Sequence, residues 1–251
     1  MSIPIRPGSK LQGSNRSIIE PLETRIAPAT LANLDLASLD GTNGGFKLNG
    51  GSPNGGAGYS VSEAGDVNGD GYDDVIIGAP GAAGYSGESY LIFGRKSGFP
   101  AELELEALDG TSGGFKINGG ASGDELGISV STAGDFNADG FDDLIVGAWN
   151  ANAGGVIKSG QSYLIFGQAS GFGTVDVSKL DGTNGGFKID GASLGDQSGT
   201  SVSAAGDFNG DGYGDLVVGA FKTDLEGKQG RGQSYLIFGK ESGFGTVELS
   251  K

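Results

Sequence analysis

The sequence predicts an all-β fold: β-propeller blades of four antiparallel strands, in three full repeats and the start of a fourth. Three observations carry this prediction. The segment Leu34 to Asn49 returns as Leu103 to Asn118 and again as Val175 to Asp190, at offsets of 69 and 72 residues. Glycine supplies 52 of 251 residues with no three-residue period, which implies frequent tight turns and excludes a collagen-like helix. The apolar segments between turns are short, β-branched or aromatic, and bounded by Gly, Asn and Asp, which is the strand signature.

Along the chain, residues 1–30 hold Pro4, Pro7, Pro21 and Pro28, with Arg6, Lys10, Arg16 and Arg25 scattered without helical periodicity. A disordered or processed leader is expected there. The repeats follow as 31–102, 103–174 and 175–246, and residues 247–251 begin a truncated fourth. Each copy opens towards an Asp-Gly-Thr turn at Asp40, Asp109 or Asp181, residue types that supply turn geometry. A Gly-Phe-Lys segment comes next, then a Ser-Val-Ser stretch containing Ser60, Ser129 or Ser201, and a loop beginning Gly-Asp. The runs Val75-Ile-Ile, Leu144-Ile-Val and Leu216-Val-Val read as strands buried on both faces. Ser-Tyr-Leu-Ile-Phe-Gly ends each copy, from Ser89, Ser162 and Ser234. Phe46, Phe115, Phe187, Tyr90, Tyr163, Tyr235 and the single Trp149 are expected in the blade core.

About four strands per copy suit one radial sheet per repeat, buried by its neighbours. A β-sandwich is the other arrangement of short, evenly spaced strands. Three blades are fewer than the roughly four to eight of closed propellers. A longer chain or self-association is therefore expected to supply further blades.

Composition narrows the function. A net charge of −15 argues against nucleic acid and anionic lipid as partners, because both need clustered Lys and Arg. The chain has no Cys and no His, which removes disulfides, thiol catalysis, zinc-thiolate sites, imidazole ligands and the Ser/His/Asp arrangement. No run of about 18 apolar residues is present, so no membrane insertion by a helix is expected.

Oxygen chemistry remains, and the Gly-Asp loops concentrate it. Each reads Asp-x-Asn-x-Asp-Gly-x-x-Asp. The oxygen side chains are Asp66, Asn68, Asp70 and Asp74 in the first; Asp135, Asn137, Asp139 and Asp143 in the second; and Asp207, Asn209, Asp211 and Asp215 in the third. Oxygens at positions 1, 3, 5 and 9, with Gly at 6 for the sharp turn, suit one hard cation per loop. The position-7 carbonyls of Tyr72, Phe141 and Tyr213 complete the expected donor set. Such a flexible all-oxygen set favours Ca2+ over Mg2+, so about one Ca2+ per repeat, three in all, is expected. An EF-hand is rejected because position 12, which must be a bidentate Glu, is Ile77, Val146 or Val218 inside a strand-like run.

The stretch Gly58 to Pro80 resembles the FG-GAP repeat of integrin α-chain propellers, and the resemblance runs through all three copies over residues 31–251. It implies a β-propeller with calcium in blade hairpins, of the kind found in extracellular adhesion and surface proteins. The sequence departs from the pattern at the Phe-Gly pair, which is Gly58-Tyr59, Gly127-Ile128 and Gly199-Thr200, and at Pro80, which becomes Trp149 and Phe221. Ile19 to Ala29 resembles the Leu-Glu-Pro-Arg type export segments of some bacterial surface proteins, implying a secreted or cell-surface location at a bacterial envelope.

The function expected from the sequence is non-enzymatic. Calcium clips an adhesion or scaffold module that binds a protein or polysaccharide through the loops that differ between copies, 82–88, 150–160 and 222–232. At an affinity of about 0.1 mM, millimolar calcium stabilises each site by about 1.4 kcal/mol. The alternative is an accessory propeller of a secreted hydrolase, or a carbohydrate-binding module.

Overall fold

The computed structural model describes residues 35–249 apart from positions 43, 112, 184 and 226. The leader expected over residues 1–30 lies outside the described residues. The chain divides after Ser38 into two units. The described part of the first contains one 3-10 turn, Leu36–Ser38. All the strands belong to the second.

The first copy contributes β1 (Lys47–Asn49), β2 (Ser60–Gly65), β3 (Asp74–Ala79) and β4 (Glu88–Ile92). The second contributes β5 (Glu102–Glu104), β6 (Gly114–Asn118), β7 (Ser129–Gly134), β8 (Asp143–Ala148) and β9 (Gln161–Ile165). The third contributes β10 (Val175–Asp176), β11 (Gly186–Asp190), β12 (Ser198–Gly206), β13 (Asp215–Ala220) and β14 (Gln233–Ile237), and β15 (Val247–Glu248) follows.

Strands β2, β3, β4 and β6 form an antiparallel sheet, with β10 running parallel to β6 at its edge. Strands β7, β8, β9 and β11 repeat the arrangement, with β15 parallel to β11. A third sheet holds β12, β13 and β14, and β1 pairs with β5 in parallel as a separate ribbon. These are propeller-type blades of four antiparallel strands, as the sequence predicts. Their strands, however, are drawn from two successive copies. Strand β4 pairs with β6 of the next copy, from Glu88↔Asn118 to Ile92↔Gly114, and β9 pairs with β11, from Gln161↔Asp190 to Ile165↔Gly186. The sheet grows by adding consecutive antiparallel strands at one edge, and the Gly-Phe-Lys segment is the next antiparallel strand after β4 or β9.

The core lies between sheets, because alternate residues of a strand point to opposite faces. Ile76 and Leu91 of the first sheet pack against Val130, Leu144 and Val146 of the second. Ile145 and Leu164 on the far face of the second sheet meet Val202, Leu216 and Val218 of the third. Each such side chain contributes about 1.5–3 kcal/mol when fully buried. The middle sheet is covered on both faces: β8 is buried along its whole length. The outer sheets are not, and Val75 of β3 is 42% exposed.

Close backbone approach locks neighbouring sheets together. A Cβ on Gly78 would fall 2.0 Å from the carbonyl oxygen of Gly127, and one on Gly147 would fall 1.9 Å from that of Gly199. Only glycine fits there. Beside these contacts the Val130 N–H donates to Ser60 Oγ and the Val202 N–H to Ser129 Oγ, each at 3.1 Å. At the outer edge a Ser-Gly-Phe aromatic stacks on the Gly-Phe-Lys aromatic. The ring centroids are 4.8 Å apart for Phe46 and Phe99, 4.6 Å for Phe115 and Phe172, and 5.2 Å for Phe187 and Phe244.

Candidate metal centre

Each Asp-rich loop joins the first two strands of a blade: β2 to β3, β7 to β8 and β12 to β13. A register shift at Gly65, Gly134 or Gly206 releases the chain from the ladder just before the loop. The position-6 glycines Gly71, Gly140 and Gly212 have φ of 87°, 92° and 92°, a left-handed conformation that costs an L side chain about 1–2 kcal/mol.

The three loops share one bonding pattern. The Asp70 N–H is divided between Asp66 Oδ1 at 3.0 Å and Asn68 Oδ1 at 2.9 Å, so one donor draws the position-1 and position-3 oxygens together. The Asp139 N–H does the same with Asp135 and Asn137, both at 3.0 Å, and the Asp211 N–H with Asp207 at 3.0 Å and Asn209 at 2.8 Å. Position 7 donates its backbone N–H to the position-5 carboxylate, Tyr72 to Asp70, Phe141 to Asp139 and Tyr213 to Asp211, each at 3.0 Å.

Position 9 is different. Asp74, Asp143 and Asp215 are buried, and each carboxylate is clamped by two backbone N–H groups. Asp74 accepts from Val67 at 3.1 Å and Gly94 at 2.8 Å. Asp143 accepts from Phe136 at 3.0 Å and Gly167 at 2.8 Å, and Asp215 from Phe208 at 2.8 Å and Gly239 at 2.9 Å. The ninth residue therefore clips the loop to the end of the blade's third strand, a role the spacing alone did not reveal. Burial pushes the Asp74 carboxyl up to about 7 and that of Asp143 up to about 8. The two N–H donors oppose the rise in each case. The nearby charges of Asp70 and Asp66, or of Asp139 and Asp135, add to it.

This all-oxygen donor set, with desolvated carboxylates beside others of like charge, has the chemistry a hard cation takes. Among the described residues, no three or more Asp, Glu, His or Cys side chains converge into a ready-made metal cage.

Position 8 carries a link invisible in one copy alone. The Asp142 N–H donates to the Asp66 carbonyl at 3.2 Å, and the Asp66 N–H donates to the Asp142 carboxylate at 2.8 Å. In the third loop Gly214 keeps only the backbone half of this link, donating to the Asp135 carbonyl at 2.9 Å. Gln168 and Lys240 donate in the same way to the carbonyls of Val67 and Phe136, at 3.0 and 3.1 Å. The loops are thus joints between blades as well as hairpin tips.

Elsewhere the loops that differ between copies present large apolar groups: Tyr85 is 56% exposed, Ile157 59%, and Phe221, beside the third, 51%. Trp149, expected in the core, is half-buried at the rim, where its indole N–H donates to the Glu125 carboxylate at 2.8 Å. A polar acceptor on the neighbouring loop holds it there.

The FG-GAP repeat family model matches residues 57–92, 126–165 and 198–237. The chain carries three FG-GAP repeats. Each matched span holds the inner three strands of a blade and its Asp-rich loop, ending with β4, β9 or β14, so the fourth strand lies outside the FG-GAP unit. The chain is similar to integrin alpha-V of Gallus gallus, 35% identical over 66% of this chain and 15% of that protein. It is similar to integrin alpha pat-2 of Caenorhabditis elegans, 34% identical over 66% of this chain and 13% of that protein. It is also similar to phosphatidylinositol-glycan-specific phospholipase D of Bos taurus, 33% identical over 68% of this chain and 19% of that protein. The matched region spans less than a fifth of each of these three proteins. No helix among the described residues is long and apolar enough to cross a membrane.

Proposed function

We propose that this chain is an extracellular or cell-surface FG-GAP β-propeller module, clipped by calcium and serving adhesion or scaffolding rather than catalysis. The observation that carries the reading is the threefold recurrence of one hydrogen-bonded, all-oxygen loop in FG-GAP repeats similar to those of integrin alpha chains. In the first loop Asp66, Asn68, Asp70 and Asp74, with the carbonyl of Tyr72, would hold Ca2+. The matching residues of the other two loops would hold two more. The ion supplies positive charge to carboxylates that burial and mutual repulsion disfavour. Because each loop also bonds the next, calcium would stiffen the joints between blades.

The contact surface for a protein or polysaccharide is assigned to the variable loops 82–88, 150–160 and 222–232. Exposed Tyr85 and Ile157 support this, as does the left-handed backbone of Ala83, Tyr85 and Lys158, with φ of 49°, 65° and 52°. Such strain concentrates at functional loops. The likeness to phosphatidylinositol-glycan-specific phospholipase D supports a second reading, an accessory propeller beside a hydrolase.

Thermal melting in calcium and in chelator tests the central claim. A higher melting temperature in calcium is expected, reduced stepwise by Asp70→Ala, Asp139→Ala and Asp211→Ala. Equal melting temperatures in the two buffers would overturn it. Exchanging the three variable loops for Gly-Ser segments should abolish binding to immobilised polysaccharide or protein ligands while leaving calcium-dependent melting intact.

A further inference from the structure

Two contacts between the first Asp-rich loop and the second come from residues set among the second loop's own oxygen donors. Asp142 stands between Phe141 and Asp143. Its carboxylate accepts from the Asp66 N–H at 2.8 Å, and its N–H donates to the Asp66 carbonyl at 3.2 Å. A Cβ on Gly65 would fall 2.2 Å from that carboxylate, so the side chain lies hard against the backbone at the entrance to the first loop. The Phe141 ring reaches further in. A Cβ on Gly69, between Asn68 and Asp70, would fall 2.6 Å from it.

From this geometry we infer that the first and second loops take up calcium cooperatively, with Asp142 as the positioning residue that couples them, while the third loop binds independently of the second. The inference rests on the calcium reading above and adds to it a coupling between sites.

The coupling follows from what an ion must order. Among the described residues no three carboxylates form a ready-made cage, so each loop has to close further, and that ordering costs conformational entropy. Holding the Phe141 carbonyl and the Asp143 carboxylate fixes the chain on both sides of Asp142. The acceptor of the Asp66 N–H is then held in place, and with it the first donor residue of the first loop. Ordering either loop thus meets part of the cost of ordering the other. That is positive coupling, and in binding free energy it acts equally in both directions.

The second junction lacks these contacts. Gly214 keeps the backbone bond to the Asp135 carbonyl at 2.9 Å but has no carboxylate. A Cβ on Gly134, the counterpart of Gly65, would meet nothing within 4 Å. One chain therefore holds the same joint with and without its side-chain link.

The test measures calcium binding to the full chain by competition with a chromophoric chelator. Asp211→Ala leaves the first and second loops, Asp70→Ala leaves the second and third, and the pairwise combinations of Asp70→Ala, Asp139→Ala and Asp211→Ala leave one loop each. In the Asp211→Ala protein the product of the two binding constants is expected to exceed the product of the single-loop values by roughly fivefold or more. In the Asp70→Ala protein the two products should be equal. Adding Asp142→Gly to Asp211→Ala should remove the excess, whereas Asp142→Asn, which keeps an acceptor for the Asp66 N–H, should retain it. Equal products in both proteins, the same excess in both, an excess that survives Asp142→Gly, or one lost in Asp142→Asn would each overturn the coupling and leave the calcium reading in place. No calcium uptake by any of these proteins would overturn the calcium reading, and the coupling with it.

Discussion

Asp142 in the second loop and Asp66 in the first hold each other through two bonds. The Asp66 N–H donates to the Asp142 carboxylate at 2.8 Å, and the Asp142 N–H donates to the Asp66 carbonyl at 3.2 Å. Removing the carboxylate leaves the Asp66 N–H without that acceptor and keeps only the backbone bond. Asp142→Gly reproduces the third loop, where Gly214 stands. It is expected to cost no more than about 1.5–3 kcal/mol in urea unfolding, the usual contribution of a hydrogen bond to a charged group, at this part-buried site. A change within the roughly 0.5 kcal/mol of an ordinary surface substitution would show that the link between the loops does not contribute.

Ala138 occupies loop position 4 with φ of 57°, where Gly69 and Gly210 have 70° and 76°. The left-handed conformation costs alanine about 1–2 kcal/mol, partly offset because glycine is freer in the unfolded chain. Ala138→Gly is therefore expected to raise stability by about 0.5–1 kcal/mol, seen as a higher denaturation midpoint with an unchanged slope. A lower midpoint would contradict the strain argument.

The pH dependence of the calcium effect follows from Asp74 and Asp143. Their folded-state values, about 7 and about 8, lie above the ordinary 3.8. A raised value means the folded protein binds the proton more tightly. That stabilisation is fully present below the unfolded value and is lost as pH rises through the folded one. Chelated protein should therefore lose stability between about pH 4 and pH 8, the window in which a bound cation must replace the lost protons. The calcium-minus-chelator difference in melting temperature is expected to be largest near pH 8 and to shrink towards pH 5. A difference that stays constant, or grows on acidification, would speak against these carboxylates facing the ion.

The stacked phenylalanines give an internal comparison of burial. Phe115 is fully buried, and Phe115→Ala is expected to cost about 3–5 kcal/mol. Phe46, in the equivalent position, is only partly buried, so Phe46→Ala should cost no more than about 2 kcal/mol. Denaturant unfolding of the two variants checks the order. Equal losses would place Phe46 in a fuller core than its exposure indicates.

Much of this fold was legible from residues alone. Strands β3, β8 and β13 lie where the apolar runs predict them, and Asp40, Asp109 and Asp181 make Asx turns, each accepting from the Thr N–H two residues on at 2.8–3.0 Å. The aromatic expectation held at Tyr90, Tyr163, Phe115 and Phe187. It failed at Trp149, because nothing in a periodic pattern signals that Glu125 offers an acceptor at the rim. One backbone N–H draws the position-1 and position-3 oxygens of each loop together, but the clip made by Asp74 depends on Gly94, twenty residues away. Likewise Asp142 reaches a loop 76 residues distant. Local motifs do not encode such partners, since they are set by which blade lies beside which.

Strand β6 belongs by sequence to the second copy and by hydrogen bonding to the first blade. The unit that repeats is therefore not the unit that folds. A lone period could never complete its own sheet, because its Gly-Phe-Lys strand is promised to the copy before it. Duplicating one period inside such an array inserts a finished blade wherever the breakpoints fall, because each new copy lends a strand backwards and borrows one from ahead. Such an array can lengthen by tandem duplication without passing through an intermediate that exposes a new edge.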